Sequence, residues 1–397
     1  MLFLDFFKVS LYTQEMKNQY HVSLEDAARL AVQVDSRADT EALRIKRYLS
    51  MPDLSRTPGS PIKEMVDRVL DLPEFKEFDT IEVPQIISTE IGFDAFDFPL
   101  DHPARSASDT YYVDKANILR TQMTVAWYYY FHNEDIQRRM SAGEAVGAFA
   151  FGKVYRKDEI DRRHMNVFHQ LDGWYLMPKD KGTITRDDLE KVLADTAKAV
   201  FGQDIVYRFN PDTFPYTDPS LEMEVEIGGQ WVEVNGAGVI KGAVLDKLGV
   251  DSTKWTGWAF GLGLERLAII SMDLPDIRLL WSEDDRVKKQ LVLGQQFKQV
   301  SKFPAVVRDI SFVVGSDFVL NDYFDAIRDV VPDMAEQVEL VDKYENAAKF
   351  GEGKTSYTFR ITYRRLDRTL TNEEVNALHA EVEAMTVKDY GGIIRVS

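Results

Sequence analysis

Phe151-Gly152-Lys153-Val154-Tyr155-Arg156 and Phe168-His169-Gln170-Leu171-Asp172-Gly173 are the two stretches on which the fold turns. The first closes an apolar run from Ala145 to Arg156, and the second opens another from Phe168 to Met177. The highly charged Lys157-Asp158-Glu159-Ile160-Asp161-Arg162-Arg163 stands between them, so the pattern predicts two antiparallel strands joined by a long loop. Further on, Glu222, Glu224 and Glu226 alternate with Met223, Val225 and Ile227, and Trp231-Val232-Glu233-Val234 follows after Gly228-Gly229. That is a hairpin in an antiparallel sheet. Gly261-Leu262-Gly263-Leu264-Glu265-Arg266 then predicts the opening of a helix whose Leu264, Leu267, Ala268 and Ser271 pack on that sheet.

Working outward, residues 21–50 have the scattered apolar positions of helix, and Arg56-Thr57-Pro58-Gly59-Ser60-Pro61 breaks the pattern. Ser60 is placed to cap a helix with Pro61 in its first position and an apolar stripe of Ile62, Met65, Val66, Val69 and Leu70, ending near Pro73. Thr80-Ile81-Glu82-Val83 reads as a strand running into Pro84, whose missing N–H confines it to a strand end or sheet edge. Helices and strands do not alternate regularly, which disfavours a doubly wound parallel sheet and makes the first domain α+β.

From Ser301 the pattern restarts: strand Ala305 to Val314, helix Asn321 to Val331, strands Val338 to Tyr344 and Tyr357 to Tyr363, helix Thr371 to Met385, strand Ile393 to Val396. This is the βαββαβ order of a ferredoxin-like unit. The expected division is a helical extension over 1–56, a main domain over 57–290, a linker over 291–300 and the small domain over 301–397. Within the latter, Phe350-Gly351-Glu352-Gly353-Lys354-Thr355 imitates part of a P-loop, but Ala348 stands where a glycine is required and strands flank it on both sides, so it reads as a hairpin turn.

Composition narrows the chemistry. The chain has 397 residues, enough for two domains, with 45% hydrophobic and 28% charged residues, ordinary for a globular enzyme. There is no cysteine, which excludes disulfides, thiolate nucleophiles and Cys-held zinc. The six histidines lack metal-binding spacing, so any metal should be oxygen-bound. No apolar run is long enough to span a membrane, and the N-terminus has the features of neither a signal peptide nor a presequence, so cytoplasmic is the default expectation, with the mitochondrial matrix as the alternative if a presequence has been removed. A net charge of −17 argues against general nucleic-acid binding but leaves room for local patches at Arg138-Arg139, Arg162-Arg163 and Arg364-Arg365 with Arg368. Without further context such pairs read first as solvated surface.

A strand ending in Pro84, the two runs around Arg156 and Phe168, and the glycine-rich Gly261 to Arg266 are each weak alone. In this order and spacing they resemble motifs 1, 2 and 3 of class II aminoacyl-tRNA synthetases. When an amino-acid carboxylate attacks the α-phosphate of ATP, negative charge builds on the phosphate, and fixed guanidinium groups with bound Mg2+ stabilise it. The resemblance implies Arg156 on the α-phosphate, Phe168 and Arg266 on opposite faces of the adenine, with Gly263 beside it, and Glu233 as an Mg2+ ligand or else a paired surface glutamate.

Asp101-His102-Pro103-Ala104-Arg105, Phe168-His169-Gln170, Phe214-Pro215-Tyr216, Val232-Glu233-Val234-Asn235-Gly236-Ala237-Gly238 and Gly257-Trp258-Ala259-Phe260-Gly261 narrow the likeness. They resemble signatures of the single-chain, mitochondrial-type phenylalanyl-tRNA synthetases, and the segments Ser301-Lys302-Phe303-Pro304, Arg308-Asp309-Ile310-Ser311 and Asp367-Arg368-Thr369-Leu370-Thr371 resemble that family's ferredoxin-type anticodon-binding domain. The resemblance implies activation of L-phenylalanine, transfer to the terminal 2′-hydroxyl of tRNA(Phe), and a monomer without a β subunit. No segment resembles the editing domain that the family carries in that subunit. An amino-acid pocket is implied with Phe214 and Tyr216 as walls, Ala259 as floor and Gln170 on the α-amino group, together with Gln122, Thr124, Trp127, His169, Asp172 and Gly236. Arg308, Arg360, Tyr363 and Arg365 are the implied anticodon-side contacts.

The chain departs from the family where selectivity resides. Gln122-Met123-Thr124 replaces the usual His-Thr-Ser, Trp127 a Gln, Asp172 a Glu and Tyr216 the second wall Phe. A shifted amino-acid preference is therefore one alternative. Others are a ligase-like paralogue serving a different acceptor and a catalytically inactive paralogue that only binds tRNA.

Overall fold

The computed structural model describes residues 18–22, 25–157, 161–332 and 334–395. The apolar head at 1–17, the middle of the charged loop at Asp158–Ile160, and Val396 of the expected last strand lie outside the described residues. The chain divides into two compact units, Met1–Phe297 and Lys298–Ser397.

In the first unit, strand β1 (Gln19–His21) precedes helices α1 (Glu25–Ser36) and α2 (Thr40–Ser50). These helices pack through Leu30, Val34, Ile45 and Tyr48 against Leu119, Tyr155 and Val167, so the segment expected as an extension shares the unit's hydrophobic core. Helix α3 (Pro61–Leu70) forms as its ends dictate: Ser60 Oγ accepts the Ile62 N–H at 3.2 Å and Pro61 occupies the first turn.

Strand β2 (Asp79–Glu82) stops two residues before Pro84. β3 (Ile86–Ser88) and β4 (Asn117–Leu119) form a small separate ribbon. β5 (Val146–Tyr155) and β6 (Val167–Pro178) are the long antiparallel pair expected from their apolar runs. Helix α4 (Arg186–Phe201) leads into β7 (Tyr207–Phe214), β8 (Thr217–Ile227), β9 (Gln230–Ile240) and β10 (Trp255–Gly263). The eight strands form one sheet in the order β1-β2-β5-β6-β10-β9-β8-β7. It is antiparallel except at one end, where β1, β2 and β5 run parallel.

Two expectations are corrected here. Gly261, Leu262 and Gly263 do not open a helix: they pair with Asp172, Leu171 and Gln170, which keeps them extended, and α5 begins at Leu264 (Leu264–Met272). The stretch expected as linker is anchored to the first unit as far as Phe297: Leu291, Leu293 and Phe297 are buried, and the Phe297 N–H donates to the Met272 carbonyl.

The second unit runs β11 (Val306–Val314), α6 (Leu320–Val330), β12 (Ala335–Glu345), β13 (Thr355–Tyr363), α7 (Asn372–Tyr390) and β14 (Ile393–Ile394). Its sheet order, β12-β13-β11-β14, is that of a ferredoxin-like fold, with Ile310, Phe312, Phe359 and Ile361 packed against Tyr323, Ile327, Val375 and Val382 of the two helices. Gly351 and Gly353, both with positive φ, turn the chain from β12 into β13, so the P-loop look-alike is a hairpin connection.

Candidate active site

Pairing of β10 between β6 and β9 lays Gly263 and Gly261 beside Gln170 and Asp172, and Gly261 beside Gly236, with Phe168 and Ala259 further along the same faces and Glu233 brought onto that of Gly236 by a bulge at Val234. Residues two apart on a strand share a face, and this face lines one cavity of about 320 Å³. Gln122, Thr124 and Trp127 close it from the segment after β4, Phe214 and Tyr216 from the end of β7, Arg156 from the end of β5, and Arg266 from the first turn of α5.

One end of the cavity is cationic. The Arg156 guanidinium lies 5.2 Å from the Phe168 ring centroid and its Nε donates to the Thr121 carbonyl at 3.0 Å. Arg266 Nη1 is 3.1 Å from Glu233 Oε2, with both side chains about half exposed. Asn235 lies beyond a bulge at Val234 and faces the opposite way from Glu233, into the core, where its Nδ2 contacts Met223 Sδ at 3.9 Å.

The other end is aromatic with a small buried acidic corner. The Phe214 and Tyr216 rings lie 6.1 Å apart and 11° from parallel, and Trp127 meets Tyr216 edge-on at 6.0 Å. Gly236 is required by the Phe214 ring, since a Cβ there would come within 2.5 Å of it. Ala259 is buried in the wall. Thr124 Oγ1 donates to Asp172 Oδ2 at 2.7 Å, and the Met123 N–H donates to Gln170 Oε1 at 3.1 Å. Burial pushes the Asp172 carboxyl up to about 7, although Thr124 and Arg156 both pull it down. Burial likewise pushes the Tyr216 hydroxyl up to about 12.

A site with two fixed guanidinium groups, a stacking ring and a separate aromatic slot suits a nucleotide beside a small apolar molecule. Comparison with known sequences agrees. The family described as tRNA synthetases class II core domain (F) matches residues 48–291, and the ferredoxin-fold anticodon binding domain matches residues 301–395. The chain belongs to the class II aminoacyl-tRNA synthetases. It is 36% identical to a mitochondrial phenylalanine–tRNA ligase of Mus musculus, over 80% of this chain and 75% of that one. To a chloroplastic/mitochondrial phenylalanine–tRNA ligase of Arabidopsis thaliana it is 37% identical, over 78% and 70%, and to a mitochondrial one of Saccharomyces cerevisiae 31% identical, over 85% and 87%.

In this class II synthetase, some sequence expectations need correction. His169 does not line the amino-acid pocket: its neighbours Phe168 and Gln170 face the cavity, while its own ring is wholly buried between Glu265 and the Asp53–Leu54 turn. Burial would depress this imidazole and the two carboxylates press it upward, to about 9, but the Leu54 N–H donates to Nε2 and therefore selects the neutral ring with its proton on Nδ1. Tyr363 cannot stack on an RNA base, because it is fully buried and its hydroxyl meets His379 Nδ1 at 3.0 Å. Arg139 is not part of a basic surface patch: it is buried and bonds Asp79 at 2.6 Å, inside the core.

The basic candidates of the second unit are held in ion pairs or on amide oxygens. Arg360 pairs with Asp309, Arg364 with Glu336, Arg365 with Asp367 and Arg368 with Glu374, whereas Arg308 donates to Asn372 and Asn376. Sequence reasoning offered Arg163 only as part of a basic patch and missed His164 and Ile277; all three line the cavity. The first two end the charged loop, and that position was the available signal; Ile277 carried none.

Proposed function

We propose that this chain is a phenylalanine–tRNA ligase that joins L-phenylalanine to ATP as phenylalanyl-adenylate and passes the phenylalanyl group to tRNA(Phe). One observation carries the reading: Arg156, Phe168 and Arg266 share a single cavity with the Phe214–Tyr216–Ala259 slot, in a chain whose relatives bear that activity in their names.

The substrate carboxylate attacks the α-phosphorus of ATP and pyrophosphate leaves, so charge accumulates on the α-phosphate oxygens. Arg156 is the guanidinium for those oxygens, fixed in place by its bond to the Thr121 carbonyl. Phe168 and Arg266 flank the adenine. Phe214 and Tyr216 take the phenylalanine ring, Ala259 limits its depth, and Gln170, Thr124, Asp172 and Gln122 surround the α-amino end, where a buried carboxylate favours an ammonium. In the second step the 2′-hydroxyl of the terminal ribose attacks the activated carbonyl and AMP leaves.

The half-exposed Glu233 carboxylate would be the protein ligand for a Mg2+ ion that keeps its other ligands as water and phosphate oxygen. A metal held there would supply neutralisation of phosphate charge. Residues 301–397 face the anticodon, with Arg308, Arg360 and Arg365 as phosphate-pairing candidates. The organellar names of the relatives support a mitochondrial setting, and the cytoplasmic expectation has no such support. The names of the organellar relatives carry no subunit designation, which supports a chain that acts as a monomer without a β subunit.

A shifted amino-acid preference is the second reading, favoured by Tyr216 and Asp172 in the slot. Amino-acid-dependent ATP–pyrophosphate exchange with all twenty amino acids, followed by charging of tRNA(Phe), decides between them. Exchange with phenylalanine alone supports the proposal; exchange with another amino acid keeps the chemistry and replaces the substrate.

A further inference from the structure

Strand β10 leaves the sheet after Gly263, which pairs with Gln170. The next residue back along β6, His169, therefore has no strand partner on that side, and a carboxylate takes the place of the missing strand. Glu265, in the first turn of α5, accepts the His169 backbone N–H at Oε2 (2.7 Å) and the ring Nδ1–H at Oε1 (2.5 Å). On the other side of the ring the Leu54 N–H donates to Nε2 at 2.9 Å, Asp53 Oδ1 lies at 3.3 Å and the Trp281 ring stacks at 6.0 Å. His169 is 0% and Glu265 3% exposed, so neither partner has water to replace the other.

What this arrangement joins is informative. His169 and Glu265 are 96 residues apart in sequence. His169 stands between Phe168 and Gln170, and Glu265 immediately precedes Arg266, all three of which line the cavity. A two-point bond of this kind fixes a strand and a helix turn to within a fraction of an ångström, the tolerance that a reacting constellation needs.

We propose that His169 is a positioning residue for amino-acid activation: its clamp on Glu265 sets the separation between the Phe168–Gln170 strand and the Arg266 turn. The proposal rests on the activation reading above. The Leu54 N–H holds the ring in the tautomer that donates to Glu265. His169 itself touches no substrate.

The experiment compares wild type with His169→Ala, His169→Asn and Glu265→Gln in ATP–pyrophosphate exchange, with calorimetric ATP binding and thermal unfolding measured on the same samples. His169→Ala is expected to lower kcat on the order of 10²-fold and to raise the KM for ATP. His169→Asn, whose amide can still donate to Glu265, is expected to recover most of that kcat, which a space-filling role alone would not produce. Glu265→Gln keeps one acceptor but sets its NH2 against the other of the two N–H donors, breaking the two-point bond, and is expected to resemble His169→Ala.

A folded His169→Ala variant with wild-type kcat and ATP KM overturns the proposal. So does a His169→Asn variant no better than His169→Ala; if His169→Ala does not fold, His169→Asn against Glu265→Gln gives the same comparison. A wild-type chain that neither exchanges nor binds ATP overturns the activation reading instead, and shows this before any variant is made.

Discussion

Arg266 Nη1 and Glu233 Oε2 meet at 3.1 Å beside the cavity, so the cation assigned to the nucleotide is held by the acid assigned to the metal. Both side chains are about half exposed, and an ion pair of that kind contributes only about 0–1 kcal/mol to folding. Arg266→Ala should therefore unfold close to the wild-type temperature while losing on the order of 10²-fold or more in kcat/KM for ATP. Parallel loss of stability and exchange, read from melting curves and initial rates, would contradict the assignment.

Gly236 lies directly against the Phe214 ring, with room for no side chain. Gly236→Ala should push that wall into the slot and raise the KM for the amino acid by roughly 10-fold or more. The KM for ATP should stay near wild type, because Phe168 and Arg266 are untouched. Equal increases in both constants would place Phe214 outside the amino-acid slot.

Asp172 makes stability and substrate binding respond to pH in opposite senses. Its folded value, about 7, stands above the unfolded carboxylate value of about 3.9. The folded chain thus binds more protons than the unfolded one between those limits, and the contribution, complete below the unfolded value, is lost as pH rises through the folded one. Asp172→Asn should therefore gain in melting temperature relative to wild type between about pH 5 and pH 8. The wild-type KM for the amino acid should rise as pH falls below about 7, since a neutral carboxyl no longer pairs with the ammonium. A pH-independent difference in melting temperature would show that the group does not titrate in this range.

Arg139 and Asp79 form a pair buried beneath the parallel end of the sheet, with Tyr130 also donating to Asp79 at 2.6 Å. Arg139→Ala strands a buried carboxylate and should destabilise the first unit by about 3–5 kcal/mol. Arg138→Ala, at a neighbouring side chain 73% exposed, should change stability by less than about 0.5 kcal/mol. Urea unfolding of the two variants separates these outcomes, and similar values would remove Arg139 from the core.

The elements that were legible in the sequence are those whose signals are local. Ser60-Pro61 sets a helix start, Gly228-Gly229 a hairpin turn with positive φ at both glycines, and the alternation around Met223 and Val225 a half-buried strand; each acts within a few residues. The βαββαβ order of the second unit was readable for the same reason, from the succession of such signals. The likeness to class II synthetases added which residues belong to the site, although neither periodicity nor spacing reveals their roles.

Partnership between distant segments was decided by tertiary structure alone. Gly261 to Gly263 remain extended because Gln170, Leu171 and Asp172 pair with them, overriding a sequence that suggested a helix start. Tyr363 looked like an RNA contact until α7 covered it, and Arg139 looked like half of a basic patch until Asp79 was found inside the core. His169 looked like a pocket residue because its neighbours are. The alternation of a strand turns it away, and a carboxylate 96 residues distant gives it a partner. Burial and pairing of this kind depend on which surfaces close over one another, and that is fixed by the packing of the whole unit rather than by the residues alongside.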